Sequence, residues 1–289
     1  MKVKKVNAFT ELLSGGNPAG VVTNPPKLTD EQMKNISKTL AVSETAFIFP
    51  SKVADYKVRF FSPTVEVDLC GHATIATFFS MAQDGMFENA KEKITVDEET
   101  KAGIFPVDIY FKNNACEKVM MTQGKPILKG IHLDRRKLAK SLNTMEAEID
   151  DTLPEQIVST GLFTLPVCVK SFHTLITMKP NFVQVKELCK DIGVGSIHVF
   201  TFQTIEKTSA YHARNFAPLY GINEDPVTGT ANGAVSCYLF KNNILKEKKF
   251  VCEQGDIIGR SGRVFVEIDN NLVKVGGKAR LVIERDMNI

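Results

Sequence analysis

The feature that most constrains the fold of this chain is a segment that occurs twice. The first copy reads Arg59-Phe60-Phe61-Ser62-Pro63, then Glu66, then Cys70-Gly71-His72-Ala73, and an apolar stretch follows it. The second copy reads Arg214-Asn215-Phe216-Ala217-Pro218, then Glu224, then Thr228-Gly229-Thr230-Ala231, again before an apolar stretch. Each copy predicts a strand, a loop that ends at glycine, and a buried helix. Similar burial patterns alone can produce short matches, but the shared acidic residue and glycine favour a true duplication.

The composition fits a chain that buries a core large enough for two domains. Of its 289 residues 43% are hydrophobic and 24% are charged, which excludes a disordered, collagen-like or coiled-coil protein. The net charge of +3 is too small to indicate a nucleic-acid partner. No apolar run approaches the ~18 residues that cross a membrane. The N-terminus lacks the apolar core of a signal peptide, and the six cysteines form no C-x-x-C pair. We therefore expect a cytoplasmic protein with reduced cysteines.

Hydrophobic periodicity predicts an α+β chain with many strands and few helices. The predicted helices are Asp30–Leu40, with a capping-box signature at Thr29 and Gln32, and residues 74–82, 135–142, 183–190 and 231–240. The predicted strands include Tyr56–Phe61 in the first copy of the repeat, residues 211–216 in the second, and residues 166–172 between them.

The duplication also predicts where a ligand binds. A helix that begins after a glycine-containing loop presents backbone N–H groups without intrahelical partners, together with the positive end of its dipole. Two such helix ends, brought together by an approximate two-fold axis, form a cleft for an anion. We therefore expect a small substrate that carries carboxylate groups rather than a cation or a neutral sugar.

Three titratable side chains lie near these features. His72 opens the first helix, Asp225 lies in the equivalent loop of the second copy, and Glu44 directly precedes a predicted strand. Each also has a purely structural interpretation, as a hydrogen-bonding histidine, a turn aspartate and a solvated carboxylate. Cys70 is either a reactive thiol or a packing residue. Sequence motifs for phosphate loops, dinucleotide binding, nucleophile elbows and zinc proteases are absent, so we expect no nucleotide, flavin or metal.

Six motifs run in order along nearly the whole chain. They are Gly16-Asn17-Pro18-Ala19-Gly20, Ser43-Glu44-Thr45-Ala46-Phe47, Arg59 through Pro63, Cys70-Gly71-His72-Ala73-Thr74, Glu224-Asp225-Pro226-Val227-Thr228-Gly229-Thr230-Ala231, and Gln254-Gly255 with Gly259-Arg260. Together they resemble the PhzF-like family of phenazine-biosynthesis-related isomerases. The chain is similar, more distantly, to diaminopimelate epimerase and proline racemase.

This resemblance implies an α+β fold of two pseudo-symmetric diaminopimelate epimerase-like domains, each a curved β-sheet or barrel wrapped around a central helix. We expect an N-terminal domain of residues 1–114 plus 275–289 and a C-terminal domain of residues 115–274, with the site in the cleft between them. The family also implies a homodimer that needs no cofactor. The small net charge and the lack of a long apolar run predict that the chain binds neither nucleic acid nor membrane.

Carried over by position, the resemblance implies that Glu44 is the general acid/base. It implies that His72 and Asp225 are catalytic groups that polarise the substrate or assist the proton's movement. The positions that match substrate-binding residues are Asn17, Gly71, Ala73, Gly229 and Thr230. The family more often has Ser where this chain has Thr230, a departure that keeps the hydroxyl.

The expected function is a cofactor-independent isomerase that moves a proton on a small carboxylated substrate. Related epimerases and racemases use two cysteines, and the repeat puts Cys70 and Thr228 at those positions, which disfavours a two-thiol reaction. Two alternatives stay open. One is a Cys70-dependent dehydratase or epimerase of an amino or imino acid, and the other is a non-catalytic protein of the same fold that binds a small ligand.

Overall fold

The described residues of the computed structural model, 1–87 and 92–287, form two compact units. Unit 1 comprises Met1–Thr122 and Gly276–Ile289, and unit 2 comprises Gln123–Val275. Residues 88–91, 288 and 289, which the predicted N-terminal domain includes, lie outside the described residues. Strands predominate over helices in both units, which confirms the predicted α+β class.

The elements are numbered in chain order. The strands are β1 (Lys2–Ala8), β2 (Asn17–Val22), β3 (Thr45–Pro50), β4 (Tyr56–Phe61), β5 (Glu66–Val67), β6 (Lys93–Thr100), β7 (Gly103–Lys112), β8 (Ala115–Thr122), β9 (Ile127–Gly130), β10 (Gln156–Ser159), β11 (Phe163–Cys168), β12 (Ser196–Thr201), β13 (Tyr211–Ala217), β14 (Ile222–Asp225), β15 (Lys249–Gln254), β16 (Gly262–Asp269), β17 (Leu272–Gly277) and β18 (Ala279–Asp286). The α-helices are α1 (Asp30–Leu40), α2 (Gly71–Gln83), α3 (Arg135–Leu142), α4 (Phe172–Thr177), α5 (Phe182–Ile192) and α6 (Gly229–Lys241). In the described part of the chain, no helix is both long enough and apolar enough to span a membrane.

The two units repeat one strand order. In unit 1, β1 is antiparallel to β18 and β2, β2 is parallel to β3, and β3 is antiparallel to β4. Strand β4 is then antiparallel to β5 and parallel to β6. In unit 2 the same relations join β10 to β9 and β11, β11 to β12, β12 to β13, and β13 to β14 and β15. The duplication inferred from sequence therefore extends to the direction and pairing of the strands.

Each unit encloses one apolar helix. Helix α2 packs against β1, β2, β3, β8 and β18, and helix α6 packs against β10, β11, β12 and β16. Residues 73–81 of α2 and 231–239 of α6 are all buried. A helix that is buried on every face requires apolar or small side chains all round, as these two have. The expected central helix in each half is therefore confirmed.

Amphipathic helices cover the other side of each sheet. In unit 1, Met33 and Ile36 of α1 pack in one apolar cluster with Phe47 of β3. In unit 2, Leu138 of α3 and Leu188 of α5 pack in a cluster with residues of β12 and β13. Every residue of β12 and β13 is buried, because strands between two layers of helix have no solvent face.

Helix starts follow local capping chemistry. Helix α1 begins as predicted, since Thr29 Oγ1 accepts from Gln32 N and the Gln32 side chain accepts from Thr29 N. The strand predicted at residues 166–172 is wrong at its end. Strand β11 ends at Cys168, and Ser171 accepts a hydrogen bond from Thr174 N, which starts α4.

The same arginine–carboxylate contact precedes the central helix in each unit. Arg59 in β4 donates from Nε and Nη2 to the two carboxylate oxygens of Glu66 in β5, at 2.7 and 2.9 Å. Arg214 in β13 donates in the same way to Glu224 in β14, at 2.9 and 2.8 Å. Each guanidinium also lies over the phenylalanine ring two residues further on, at 4.9 and 5.0 Å. The repeated residues of the sequence thus form one structural unit twice.

The two pairs differ in burial. The Arg59 side chain is 26% exposed, and its hydrogen bonds lower the pKa of Glu66 to about 2. The Arg214 side chain is 8% exposed, and its Nη1 donates to the backbone carbonyls of Leu175 and Met178 at 2.9 and 2.8 Å. Arg214 therefore satisfies a carboxylate and two carbonyls that have little access to water.

We expect Arg214→Lys to lower the free energy of unfolding by about 3 kcal/mol, because lysine cannot replace the bidentate contact and both carbonyl contacts at a buried site. The matched variant Arg59→Lys should cost about 1 kcal/mol or less, because water reaches that pair. Urea denaturation of both variants beside the wild type measures the difference. Equal losses would contradict this assignment of their roles.

Candidate active site

The backbone at Glu44 is fixed by the neighbouring strand β2. The Gly20 N–H donates to the Glu44 carbonyl at 2.9 Å, next to the parallel pairing of Gly20 with Thr45. A Cβ atom on residue 20 would lie 2.3 Å from Thr45 Oγ1, so this close approach requires glycine. The Glu44 side chain is 16% exposed, and it therefore stays accessible to a ligand while its backbone is held.

The imidazole of His72 lies between the side chains of Glu44 and Cys70. Glu44 Oε2 lies 3.3 Å from His72 Nε2, and Cys70 Sγ lies 3.4 Å from His72 Nδ1. Ser43 Oγ also lies 3.4 Å from Nε2. The atoms of Glu44, Cys70 and His72 that could ligate a metal lie within 4.8 Å of one another, close enough to share one cation. Without a cation, an imidazole between a carboxylate and a thiol is equally suited to hold or pass a proton.

The central helices begin differently from the other helices. Neither Cys70, which precedes α2, nor Thr228, which precedes α6, makes a capping hydrogen bond with its side chain. In α1, α3, α4 and α5 the residue before the helix does accept such a bond. A carboxylate of a ligand is the kind of group that takes the place of a missing cap.

The candidate glycines lie inside these helices. Gly71 and Gly229 are the first helical residues, and Ala73 and Thr230 also lie in the first turns, so the prediction that each loop ends at its glycine is wrong by one residue. The reason is that the residue before each glycine, rather than the glycine, has extended backbone and precedes the helix. Asn17 is the first residue of β2 and is buried.

Asp225 ends strand β14 and is held by the residue that precedes α6. Thr228 Oγ1 donates a hydrogen bond to Asp225 Oδ2. The same oxygen accepts from Gln254 Nε2 at 3.2 Å, so both partners of the Thr228 hydroxyl lie outside α6. The predicted residues therefore fall into a group in unit 1 and a group in unit 2. The first is Asn17, Glu44, Gly71, His72 and Ala73, and the second is Asp225, Gly229 and Thr230.

Sequence reasoning gave no role to Glu98, although its carboxylate contacts Thr74 in the first turn of α2. Its side chain is fully buried in β6, and the Thr74 hydroxyl lies 3.1 Å from both of its carboxylate oxygens. Burial raises the pKa of Glu98 to about 8, against the smaller opposing effect of the Thr74 hydrogen bond. No sequence signal marks it, because it stands in an acidic run, Asp97-Glu98-Glu99, that resembles an exposed strand end.

Each unit thus has a sheet around an apolar helix, and a carboxylate, a thiol and an imidazole lie together at the start of the first of these helices. The chain belongs to the phenazine biosynthesis-like PhzC-PhzF family, whose model matches residues 6–285. It is 40% identical to an uncharacterized isomerase of Clostridium acetobutylicum, over 98% of this chain and 96% of that protein. The PhzF-family protein of Bacillus anthracis has a solved structure with a TM-score of 0.89 and 34% identity, covering 100% of this chain and 99% of the other.

A more distant likeness concerns the fold alone. The crystal structure of a hydroxyproline epimerase from Agrobacterium vitis, with bound trans-4-hydroxy-L-proline, has a TM-score of 0.65 and 13% identity. It covers 99% of this chain and 90% of that one. The predicted family and the predicted class of enzyme, an isomerase, are confirmed, and the alternative of a non-catalytic protein is set aside.

We expect Glu98→Gln to stabilise the protein at neutral and alkaline pH. The pKa of Glu98 is raised from 4.5 to about 8 in the folded state, so the wild type loses stability as the pH rises between these values. Below about pH 4.5 the carboxyl is neutral in both states and the variant gains nothing. Linkage sets the gain near pH 8 at no more than about 5 kcal/mol.

Thermal or urea unfolding of wild type and variant from pH 4.5 to 8.5 measures this difference. The gain should widen with pH. Thr64→Val, at an exposed hydroxyl of the same unit, is the control and should show no pH-dependent gain. A constant or shrinking gain for Glu98→Gln would show that Glu98 is ionised throughout.

Proposed function

We propose that this isomerase moves a proton on a small carboxylated substrate without a cofactor, and that Glu44 is the general acid/base. The observation that carries the proposal is the 3.3 Å contact between Glu44 Oε2 and His72 Nε2, at the start of a helix that lacks a side-chain cap. The side chains proposed to transfer the proton and the backbone N–H groups proposed to bind an anion thus lie next to each other at the start of α2.

The proposed reaction begins when the ionised Glu44 carboxylate removes a proton from a carbon next to a carbonyl, a carboxylate or a conjugated extension of one. Negative charge then develops on the substrate, and such charge requires donors that are oriented before the reaction starts. His72 supplies one polar donor, and the first-turn N–H groups of α2 supply others. Glu44, now neutral, returns the proton at a different atom, which completes an isomerisation with no net change in atoms or electrons.

Asp225 and the first turn of α6 have the second role in the proposal. The Thr228 hydroxyl donates to Asp225 and leaves the N–H groups of Gly229 and Thr230 without a side-chain cap. We propose that Asp225 accepts a hydrogen bond from a polar group of the substrate, while these N–H groups bind a carboxylate.

A one-thiol reaction is the second candidate. The observation that favours it is the 3.4 Å contact between Cys70 Sγ and His72 Nδ1, because an adjacent imidazole activates a thiol. In a dehydratase or epimerase of this kind Cys70 would remove the proton and Glu44 would only orient His72. A reaction with two thiols is disfavoured because Thr228 stands where the second cysteine would be.

Solvent deuterium distinguishes the two candidates. The wild type is incubated in D₂O with a panel of small carboxylic acids that begins with trans-4-hydroxy-L-proline, and incorporation at carbon is followed by mass spectrometry. We expect Glu44→Gln, which keeps the size of the side chain, to reduce incorporation by about 10³-fold. We expect Cys70→Ala to keep the rate within about tenfold of the wild type.

The opposite pattern overturns the proposal in favour of the one-thiol reaction. The control is Glu31→Gln in the same unit, which also removes a carboxylate but lies in an exposed pair with Lys34. If Glu31→Gln abolishes incorporation as completely as Glu44→Gln, the loss does not reflect proton transfer by Glu44. Circular dichroism of all three variants establishes that they are folded.

A further inference from the structure

Gln254, the last residue of β15, uses its whole hydrogen-bonding capacity next to Asp225. It is 1% exposed. Its Oε1 accepts from Thr228 N at 3.0 Å and from Asn232 Nδ2 at 2.7 Å. Its Nε2 donates to the Asp225 carbonyl at 2.8 Å and to Thr228 Oγ1 at 3.2 Å. A buried amide with four partners is held in one orientation.

Backbone groups determine that orientation without ambiguity. The Thr228 N–H can only donate, so it faces the oxygen of Gln254, and the Asp225 carbonyl can only accept, so it faces the nitrogen. Asn232 is fixed in the same way, because its Nδ2 also donates to the Thr228 carbonyl at 2.9 Å. The two amides therefore cannot be exchanged end for end without losing hydrogen bonds.

The orientation of Gln254 sets the direction of the Thr228 hydroxyl. A hydroxyl has one proton, and Thr228 Oγ1 already accepts from Gln254 Nε2. Its proton is therefore directed to Asp225 Oδ2, the other partner of this oxygen. Gln254 thus acts on the Asp225 carboxylate through Thr228 and on the Asp225 backbone directly.

Close packing holds the strand end against this turn. Gly255, which follows Gln254, has φ +90°, and a Cβ atom there would lie 2.7 Å from the Pro226 carbonyl oxygen and 2.4 Å from that of Arg260. A side chain at residue 255 would push the turn that carries Asp225 away from Gln254.

The fold itself does not require this arrangement. The pairing of Tyr56 with Glu98 in unit 1 matches that of Tyr211 with Cys252 in unit 2, so Thr100 stands where unit 2 has Gln254. Thr100 Oγ1 donates to the Gly103 carbonyl and accepts from Ala102 N, which are contacts inside its own turn. The first copy of the fold therefore forms without a counterpart of Gln254.

We propose that Gln254 is a positioning residue for Asp225, which it holds through the Thr228 hydroxyl and the Asp225 carbonyl so that the carboxylate stays oriented for the substrate. This inference deepens the proposed function and rests on the role given there to Asp225. Glu224 precedes Asp225, and Arg214 precedes Asn215, the residue paired with Asp225. These two charges are paired with each other and are unchanged in every variant below.

The first test needs no substrate. The Asp225 carboxyl resonance is titrated by ¹³C NMR in the wild type, Gln254→Met and Thr228→Val. We expect Thr228→Val to raise the pKa of Asp225 by about one unit, because the hydroxyl donor is lost, and Gln254→Met to raise it by a smaller amount. The control Gln156→Met removes an amide that contacts Asn242 instead, and it should leave the Asp225 titration unchanged.

Gln254→Asn is the second variant in case the methionine variant does not fold. It adds no charge and keeps an amide, but it is one methylene shorter and cannot keep all four contacts, so the pKa of Asp225 should again rise. The proposal is overturned if the Asp225 titration in the folded Gln254 variants equals that of the wild type, or if Gln156→Met shifts it equally.

A double-substitution cycle tests the link to catalysis, with deuterium incorporation into the acid that the wild type labels as the readout. We expect Gln254→Met to reduce kcat/KM by about 10²-fold, and Gln254→Met with Asp225→Asn to be no worse than Asp225→Asn alone. Losses that multiply instead would overturn the proposal, because Gln254 would then act independently of Asp225. If Glu44→Gln retains incorporation while the Gln254 variants shift the titration, the proposed function fails and the positioning role stands.

Discussion

The entry of the chain into each central helix follows a bidentate contact between an arginine and a glutamate that is made twice. In each unit it joins one strand to the short strand after it, and so sets where the chain enters the central helix. Arg59 with Glu66 and Arg214 with Glu224 have nearly the same geometry, although Arg214 is much less exposed. A rigid, planar guanidinium suits this task because two parallel hydrogen bonds fix both distance and direction. The residues that follow each pair are the ones available for chemistry.

The two copies share this arginine–glutamate contact and differ at the positions that follow it in the chain. Cys70 precedes α2 and His72 lies in its first turn in unit 1, whereas Thr228 and Thr230 hold those positions in unit 2. Unit 1 therefore has the titratable cluster with Glu44, and unit 2 has a network of hydroxyl and amide groups around Asp225. This division agrees with one proton-transfer site and one orienting site, which is the asymmetry that an isomerase with a single base requires.

Much of the fold was accessible from sequence because the duplication, the apolar central helices and the capping box at Thr29 are local patterns. The start of α4 was missed because a capping bond from Ser171 overrides a strand-like run. Glu98 and the network of Gln254 were missed because their roles depend on strands paired far apart in the chain. The contact of Glu44 with His72 joins residues that the sequence pointed to separately, and only the fold measures their separation. The homodimer and the absence of a cofactor stay predictions of the family resemblance.

The central claim is that the Glu44 carboxylate carries the proton. The most direct measurement is a crystal structure of Glu44→Gln with a bound carboxylic acid that the wild type labels with deuterium. The account predicts that the labelled carbon lies within about 3.5 Å of the residue 44 amide, with a carboxylate of the ligand on first-turn N–H groups of a central helix. A labelled carbon that lies against Cys70 Sγ, with the residue 44 side chain turned away from the ligand, would contradict it.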